Sequence, residues 1–275
     1  MPGPLISVAD LHAIRDNAVT ILDCRWYLGE PDAGSAAYAV GHIPGAIYCS
    51  LDTDLAGPEG QGRHPLPTPD AFAGTMERFG VSPERTVVVY DDRGGAVASR
   101  LWWMLTDQGH ASTFILDGGL PAWVDAGYGL TTEPATALAG SFRARPWIGV
   151  IDRNGVVDRA ATTAVIDARS VERYVGDAEP MDPKAGHIPG ALSMPLTDNL
   201  NETHQFLPSE SLRDRFAEAG ITDGADVISQ CGSGVTACHN IAAMEIAGLG
   251  RPLLYVGSWS DWSATDLPIA TGSAP

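Results

Sequence analysis

Gly41-His42-Ile43-Pro44-Gly45-Ala46 recurs letter for letter as Gly186-His187-Ile188-Pro189-Gly190-Ala191. Proline and glycine in each copy fix a turn, because one locks φ and the other accepts φ values closed to other residues. The matching extends outward. Ile21-Leu22-Asp23-Cys24-Arg25 returns as Val165-Ile166-Asp167-Ala168-Arg169, and Leu116–Trp123 as Tyr255–Trp262. Thr86–Asp92 occupies the place of Val227–Cys231, with Asp92 where the second copy has Cys231. The spacing stays near 140 to 145 residues throughout, so the chain is two copies of one domain in tandem.

Within each copy, short β-branched runs alternate with helical stretches. Strands are expected at Thr20–Asp23, Ile47–Cys49, Thr86–Tyr90 and Ser112–Leu116, then at Ala164–Asp167, Ala191–Ser193, Asp226–Ser229 and Pro252–Tyr255. Helices are expected over Val8–Asp16, Asp70–Phe79, Ala96–Asp107 and Leu120–Ala126. Apolar, non-alternating strands separated by helices predict an α/β fold, each domain a buried parallel sheet with helices on both faces. Leu130–Trp147, rich in Thr, Ala, Pro and Gly, reads as the connector. The expected domains are residues 1–140 and 141–275.

The second copy carries the chemistry. Gln230-Cys231-Gly232-Ser233-Gly234-Val235-Thr236-Ala237-Cys238 lies between an apolar run and the helical pattern Ile241–Ala247. A strand, a small-residue loop and a helix form an anion-binding cup. The glycines let backbone N–H groups turn inward, and the helix N-terminus adds partial positive charge. A thiolate at its base is stabilised, which makes Cys231 the candidate nucleophile, the alternative being a buried structural cysteine. Gly232, Ser233, Gly234, Val235 and Thr236 would line the cup. Cys238, inside the following helix, reads as core, with a redox role as its alternative. Cys24 and Cys49 carry no motif and read as inert.

A net charge of −17 argues against nucleic acid or an anionic membrane as partner, and an anionic substrate would need a local positive patch. No apolar run is long enough to cross a membrane, and the start of the chain has no basic segment followed by an apolar stretch. Four scattered cysteines without a C-x-x-C pair give neither a disulfide framework nor the usual zinc spacing. A cytoplasmic protein with free thiols and no metal is the expectation.

The duplicated domain, the paired GHIPGA turns and the loop Cys231–Ala237 resemble the two-domain rhodanese superfamily of sulfurtransferases. The resemblance covers nearly the whole chain. It implies an enzyme whose loop cysteine accepts a sulfane sulfur as a persulfide and passes it to cyanide or a thiol, such as a thioredoxin. It implies no cofactor, and an N-terminal domain without the cysteine. Gly232-Ser233-Gly234 is similar to the loop of members that prefer 3-mercaptopyruvate, whereas members that prefer thiosulfate carry basic residues there. A neutral rim, with the arginines remote, suits a monocarboxylate better than dianionic thiosulfate.

Arg173, in Arg173-Tyr174-Val175-Gly176, aligns with Gly29 of the first copy and matches a substrate-binding arginine of the family. It offers a bidentate fork for a carboxylate, the alternative being a solvated surface arginine. A second arginine expected before GHIPGA is missing, and Lys184 is its candidate substitute. Arg63-His64-Pro65-Leu66-Pro67 resembles the family's His-x-Leu-Pro segment, which puts Arg63 at the rim. The resemblance further implies a proton relay of Asp52, His64 and Ser233, with a helix N-cap as the alternative for Asp52 and a surface position for His64. His42, His187, Asp23, Asp167, Arg25 and Arg169 occur in both copies and read as scaffold.

Three rival readings share parts of this pattern. A cysteine phosphatase would need arginine at the sixth position after the cysteine, where this chain has Ala237. A non-turnover persulfide carrier and a thiosulfate-specific enzyme keep the same loop.

Overall fold

The computed structural model describes residues 3–15, 19–58, 60–159 and 162–275. Among them the chain forms two five-stranded sheets. The first contains β1 (Leu5–Ile6), β2 (Val19–Asp23), β3 (Ala46–Tyr48), β4 (Thr86–Tyr90) and β5 (Thr113–Leu116), in the order β1-β5-β4-β2-β3. The second contains β6 (Val150–Ile151), β7 (Ala164–Asp167), β8 (Leu192–Ser193), β9 (Val227–Gln230) and β10 (Leu253–Tyr255), in the order β6-β10-β9-β7-β8. Every pairing between these strands is parallel. The fold is α/β with a duplicated parallel sheet.

Each sheet has a strand beyond the four expected. β1 and β6 are two residues long, too short to show any periodicity, and each is held at an edge by its pairing with β5 or β10. The first helix covers Val8–Ile14; its expected end, Asp16, lies outside the described residues. Val87–Tyr90 of β4 and the whole of β9 are buried, as central parallel strands require. Trp123 and Trp262 sit in equivalent apolar clusters, the first with Ile43, Val88 and Tyr90, the second with Ile188, Ile228 and Tyr255.

The repeated motifs prove structural. His42 and His187 are fully buried, stack on Tyr38 and Tyr174 at 3.8 Å, and meet backbone carbonyls at both ring nitrogens. Arg25 grips Asp23 and the Gly41 carbonyl; Arg169 grips Asp167 and the Gly186 carbonyl with the same atoms. These clamps tie the end of β2 or β7 to the GHIPGA turn.

The chain divides into two compact units that are not contiguous in sequence. One comprises Met1–Gly57, Pro67–Ile148 and Glu202–Phe206; the other comprises Pro58–Leu66, Gly149–Asn201 and Leu207–Pro275. The connector is fastened within the first unit: Arg145 N–H donates to Gln108 Oε1 at 2.7 Å, and Trp147 Nε1 to the Pro67 carbonyl at 3.0 Å. Segment 58–66 belongs to the unit that holds Cys231, so its side chains and the cysteine loop share one packed body.

Candidate active site

Cys231 follows the central strand β9, whose outgoing connection runs to β10 on one side while that of its other neighbour, β7, runs the opposite way to β8. Such switch points leave a crevice at the strand ends of an open parallel sheet. The loop then enters the ten-residue helix Ala237–Ile246. Cys231 is almost completely buried, and its backbone is fixed on both sides. Its N–H donates to Ser258 Oγ at 3.1 Å, and its carbonyl accepts the Trp259 N–H at 2.9 Å. Gly234 has φ +74°, and a Cβ there would stand 2.5 Å from the Val256 carbonyl oxygen. Only glycine allows that turn of the cup.

The first copy shows what such a cup holds. Asp91, not Asp92, is the counterpart of Cys231: Tyr90 and Gln230 end the matching strands, and the Asp91 carbonyl accepts the Leu120 N–H as that of Cys231 accepts Trp259. The reading that set Asp92 opposite Cys231 is off by one residue, because the copies align equally well either way in sequence. The Asp91 carboxylate accepts N–H bonds of 2.8–2.9 Å from Arg93, Gly95, Val97 and Ala98. Burial pushes this carboxyl above its ordinary range against the pull of those four donors. The first cup is thus closed by its own side chain, whereas the matching positions of the second, Ser233, Val235, Ala237 and Cys238, surround a cysteine loop. Asp92 instead accepts the Tyr27 hydroxyl at 2.5 Å.

Segment 58–66 delivers two side chains to the cup. His64 is buried, with Nδ1 2.7 Å from Ser233 Oγ. Arg63 is placed by its own N–H, which donates to Ser260 Oγ at 3.1 Å. Gly62, at φ +79°, passes so close to the Gly257 carbonyl that a Cβ would come within 2.5 Å of it. Arg173 projects from the short helix Val171–Val175, which ends at Gly176 with φ +91°.

The two guanidiniums converge on Gly232. From the position a Cβ would take there, Arg63 Nη2 is 3.0 Å away and Arg173 Nη1 3.2 Å. The arginines are therefore not remote from the rim. Lys184 takes no part in it. That exposed side chain donates to the Thr265 carbonyl and lies 3.8 Å from Asp266, so the second cation beside Gly232 is Arg63. Sequence reasoning also passed over Glu179 and Asp182, which bind these arginines. Glu179 Oε1 lies 2.7 Å from Arg173 Nη2, and Asp182 pairs with both Arg63 and Arg173. No motif marks either acid; a missing arginine in an acidic stretch was the available signal.

Asp52 belongs to the other unit, where it accepts the Trp26 indole N–H at 2.9 Å. It does not cap its helix, because Ser50 holds that position and accepts the Thr53 N–H. Cys238 is fully buried with its thiol 3.5 Å from the Gly234 carbonyl. The Cys24 and Cys49 thiols are buried beside each other, and burial raises both out of the reactive range.

The rhodanese-like domain family matches this sequence twice, over residues 7–126 and 153–265. The chain belongs to the rhodanese family. A Pseudomonas aeruginosa relative named "Probable 3-mercaptopyruvate sulfurtransferase" is 42% identical over 269 residues, covering 92% of each chain. The mitochondrial thiosulfate/3-mercaptopyruvate sulfurtransferase 1 of Arabidopsis thaliana is 34% identical over 299 residues, 97% of this chain and 78% of that one. The solved 3-mercaptopyruvate sulfurtransferase of Leishmania major superposes with a TM-score of 0.82 at 32% identity, covering 96% of this chain and 75% of the other. Among the described residues no group of three His, Cys, Asp or Glu side chains is arranged to hold a metal ion, and no helix is long and apolar enough to cross a membrane.

Proposed function

We propose that this rhodanese-family protein is a sulfurtransferase that takes a sulfane sulfur from 3-mercaptopyruvate onto Cys231 and hands it to a thiol or to cyanide. The observation that carries the reading is the convergence of three features at one loop: a cysteine at the base of the cup, the 2.7 Å His64–Ser233 contact, and two guanidiniums over Gly232. In this reading the C-terminal domain (141–275) carries the catalytic cysteine, and the N-terminal domain (1–140), with Asp91 in its own cup, contributes only Arg63 and His64 from its segment 58–66.

The donor carboxylate docks on Arg173 and Arg63, which offer planar forks suited to it. The Cys231 thiolate attacks the donor sulfur, and the carbon–sulfur bond breaks with its electron pair going to carbon. Ser233, backed by His64, delivers a proton to the resulting enolate and so releases pyruvate. Backbone N–H groups of Ser233, Gly234 and Val235, together with Thr236 at the helix start, hold the persulfide anion. An acceptor thiolate such as that of a thioredoxin then takes the outer sulfur and regenerates the Cys231 thiolate. All four cysteines are free, which fits the reducing cytoplasm.

Thiosulfate is the second reading for the donor, favoured by the paired arginines and by the relative whose name includes both donors. Comparing kcat/KM for the two donors on the purified protein decides between them. The mercaptopyruvate reading expects the larger value for that donor, and a larger value for thiosulfate would reverse the assignment. Replacing Arg173 by Ala is expected to raise KM for mercaptopyruvate roughly 10- to 100-fold, the loss of a bidentate charged contact. An unchanged KM would remove the clamp.

A further inference from the structure

The two guanidiniums over Gly232 are already matched by acids. Asp182 reaches both: one carboxylate oxygen accepts Arg63 Nη1, and the other lies 3.2 Å from Arg173 Nη2. Glu179 takes Arg173 through contacts of 2.7, 3.0 and 3.3 Å, and meets Arg169 at 3.4 Å. Arg169 is matched by Asp167. The formal charges of Arg63, Arg173, Glu179 and Asp182 therefore cancel, and an arriving anion meets no net attraction unless one acid gives way.

The two acids are held differently. Glu179 also accepts the backbone N–H groups of Met181 and Asp182. Burial alone would raise its carboxyl, but these bonds and Arg173 hold it below the ordinary carboxylate range. The recorded partners of the Asp182 carboxylate are the two arginines. Burial, with the charge of Glu179 adding to it, raises that carboxyl against the pull of Arg63, Arg173 and Arg169. The Asp182 side chain is 3% exposed, whereas the Arg63 and Arg173 side chains are 25% and 17% exposed. A ligand can thus reach the arginines from outside while Asp182 holds them from within.

We propose that Asp182 is an internal counter-anion that competes with the donor's anionic group for Arg63 and Arg173, and so sets the affinity and charge selectivity of this subsite. A monoanion needs only to outcompete Asp182. With Asp182 displaced, the two arginines and the still-bound Glu179 sum to one positive charge, which a monoanion neutralises and a dianion overshoots. The subsite accordingly favours monocarboxylates over dianions, and neutralising Asp182 relaxes that preference. The identity of the donor rests on the sulfurtransferase reading; the charge competition does not.

The test uses binding as well as turnover. Pyruvate and sulfate are titrated by calorimetry into Cys231→Ser and into the same protein carrying Asp182→Asn. Removing the competing charge is expected to tighten pyruvate roughly fivefold or more and sulfate by a larger factor. In the protein with Cys231 intact, Asp182→Asn should lower KM for mercaptopyruvate in step while changing kcat less. Weaker or unchanged binding in the Asn variant would overturn the proposal. If that variant does not fold, the pH dependence of pyruvate binding to Cys231→Ser decides. Binding should tighten as Asp182 protonates on lowering the pH, above the range in which the depressed Glu179 carboxyl takes up its proton, and should still do so when His64 is replaced by Gln. A flat profile would overturn it. If the binding shifts appear but neither donor yields sulfur, the donor reading falls and the competition stands.

Discussion

Ser258 shows how single residues adapt one half of the duplication to chemistry. The first copy has Gly119 at φ +58° in this position; the second has Ser258 at φ +52°, a conformation unfavourable for a side chain. Its hydroxyl donates to the Tyr255 carbonyl at 2.8 Å and accepts the Cys231 N–H at 3.1 Å, so the strain holds the nucleophile's backbone. Replacing Ser258 by Gly relieves the backbone strain but leaves the buried Cys231 N–H without its acceptor, so the two effects offset to within about 1–2 kcal/mol of stability while the rate of sulfur transfer falls. Chemical denaturation and kcat measured together check this, and a variant with undiminished kcat would reduce Ser258 to a packing residue. Glu179 gives a stability prediction of definite sign. Its carboxyl is depressed on folding, so its contribution is present above the unfolded value and is lost as pH falls through the lower folded value. The difference in urea midpoint between the wild type and Glu179→Gln should therefore narrow on acidification, and a constant difference would contradict the assignment.

At the scale of elements, the cysteine cup and the two GHIPGA turns were legible because their residue types are forced. Glycine must stand where φ is positive, and His42 and His187 must stay where both ring nitrogens are enclosed. The edge strands β1 and β6 were not legible, since two residues carry no period. Nor was the pairing of Arg63 with Arg173, which arises from a segment distant in sequence packing beside the cysteine loop. The single-residue error at Asp92 has the same origin: register is set by strand pairing, which a local comparison of letters does not contain. The two cups predict opposite responses. Asp91→Ala leaves four N–H groups, three of them buried, without their acceptor and should cost about 3–5 kcal/mol. Gly234→Ala forces a side chain onto the Val256 carbonyl and should abolish most sulfur transfer. Thermal melts with activity assays on both variants check the contrast, and an active Gly234→Ala protein would show that the loop geometry is not needed.

For the whole molecule, duplication followed by divergence supplies an internal control: what both copies keep is scaffold, and what one alone has serves the site. Arg173, Ser258 and Cys231 fall in the second class. The net charge of −17 opposes any anionic donor, and the internally neutralised arginines leave little local attraction to offset it. Raising ionic strength from low values toward about 0.15 M should therefore increase kcat/KM for an anionic donor, by screening repulsion over a Debye length of about 8 Å. A steady fall with salt would mean that local attraction dominates. The central claim, that Cys231 carries the sulfur, is tested most directly by mass spectrometry of the protein incubated with 3-mercaptopyruvate and no acceptor. The peptide containing Cys231 should gain one sulfur atom, lose it when a thiol is added, and show no gain in Cys231→Ser; sulfur found on another cysteine, or none at all, would contradict it.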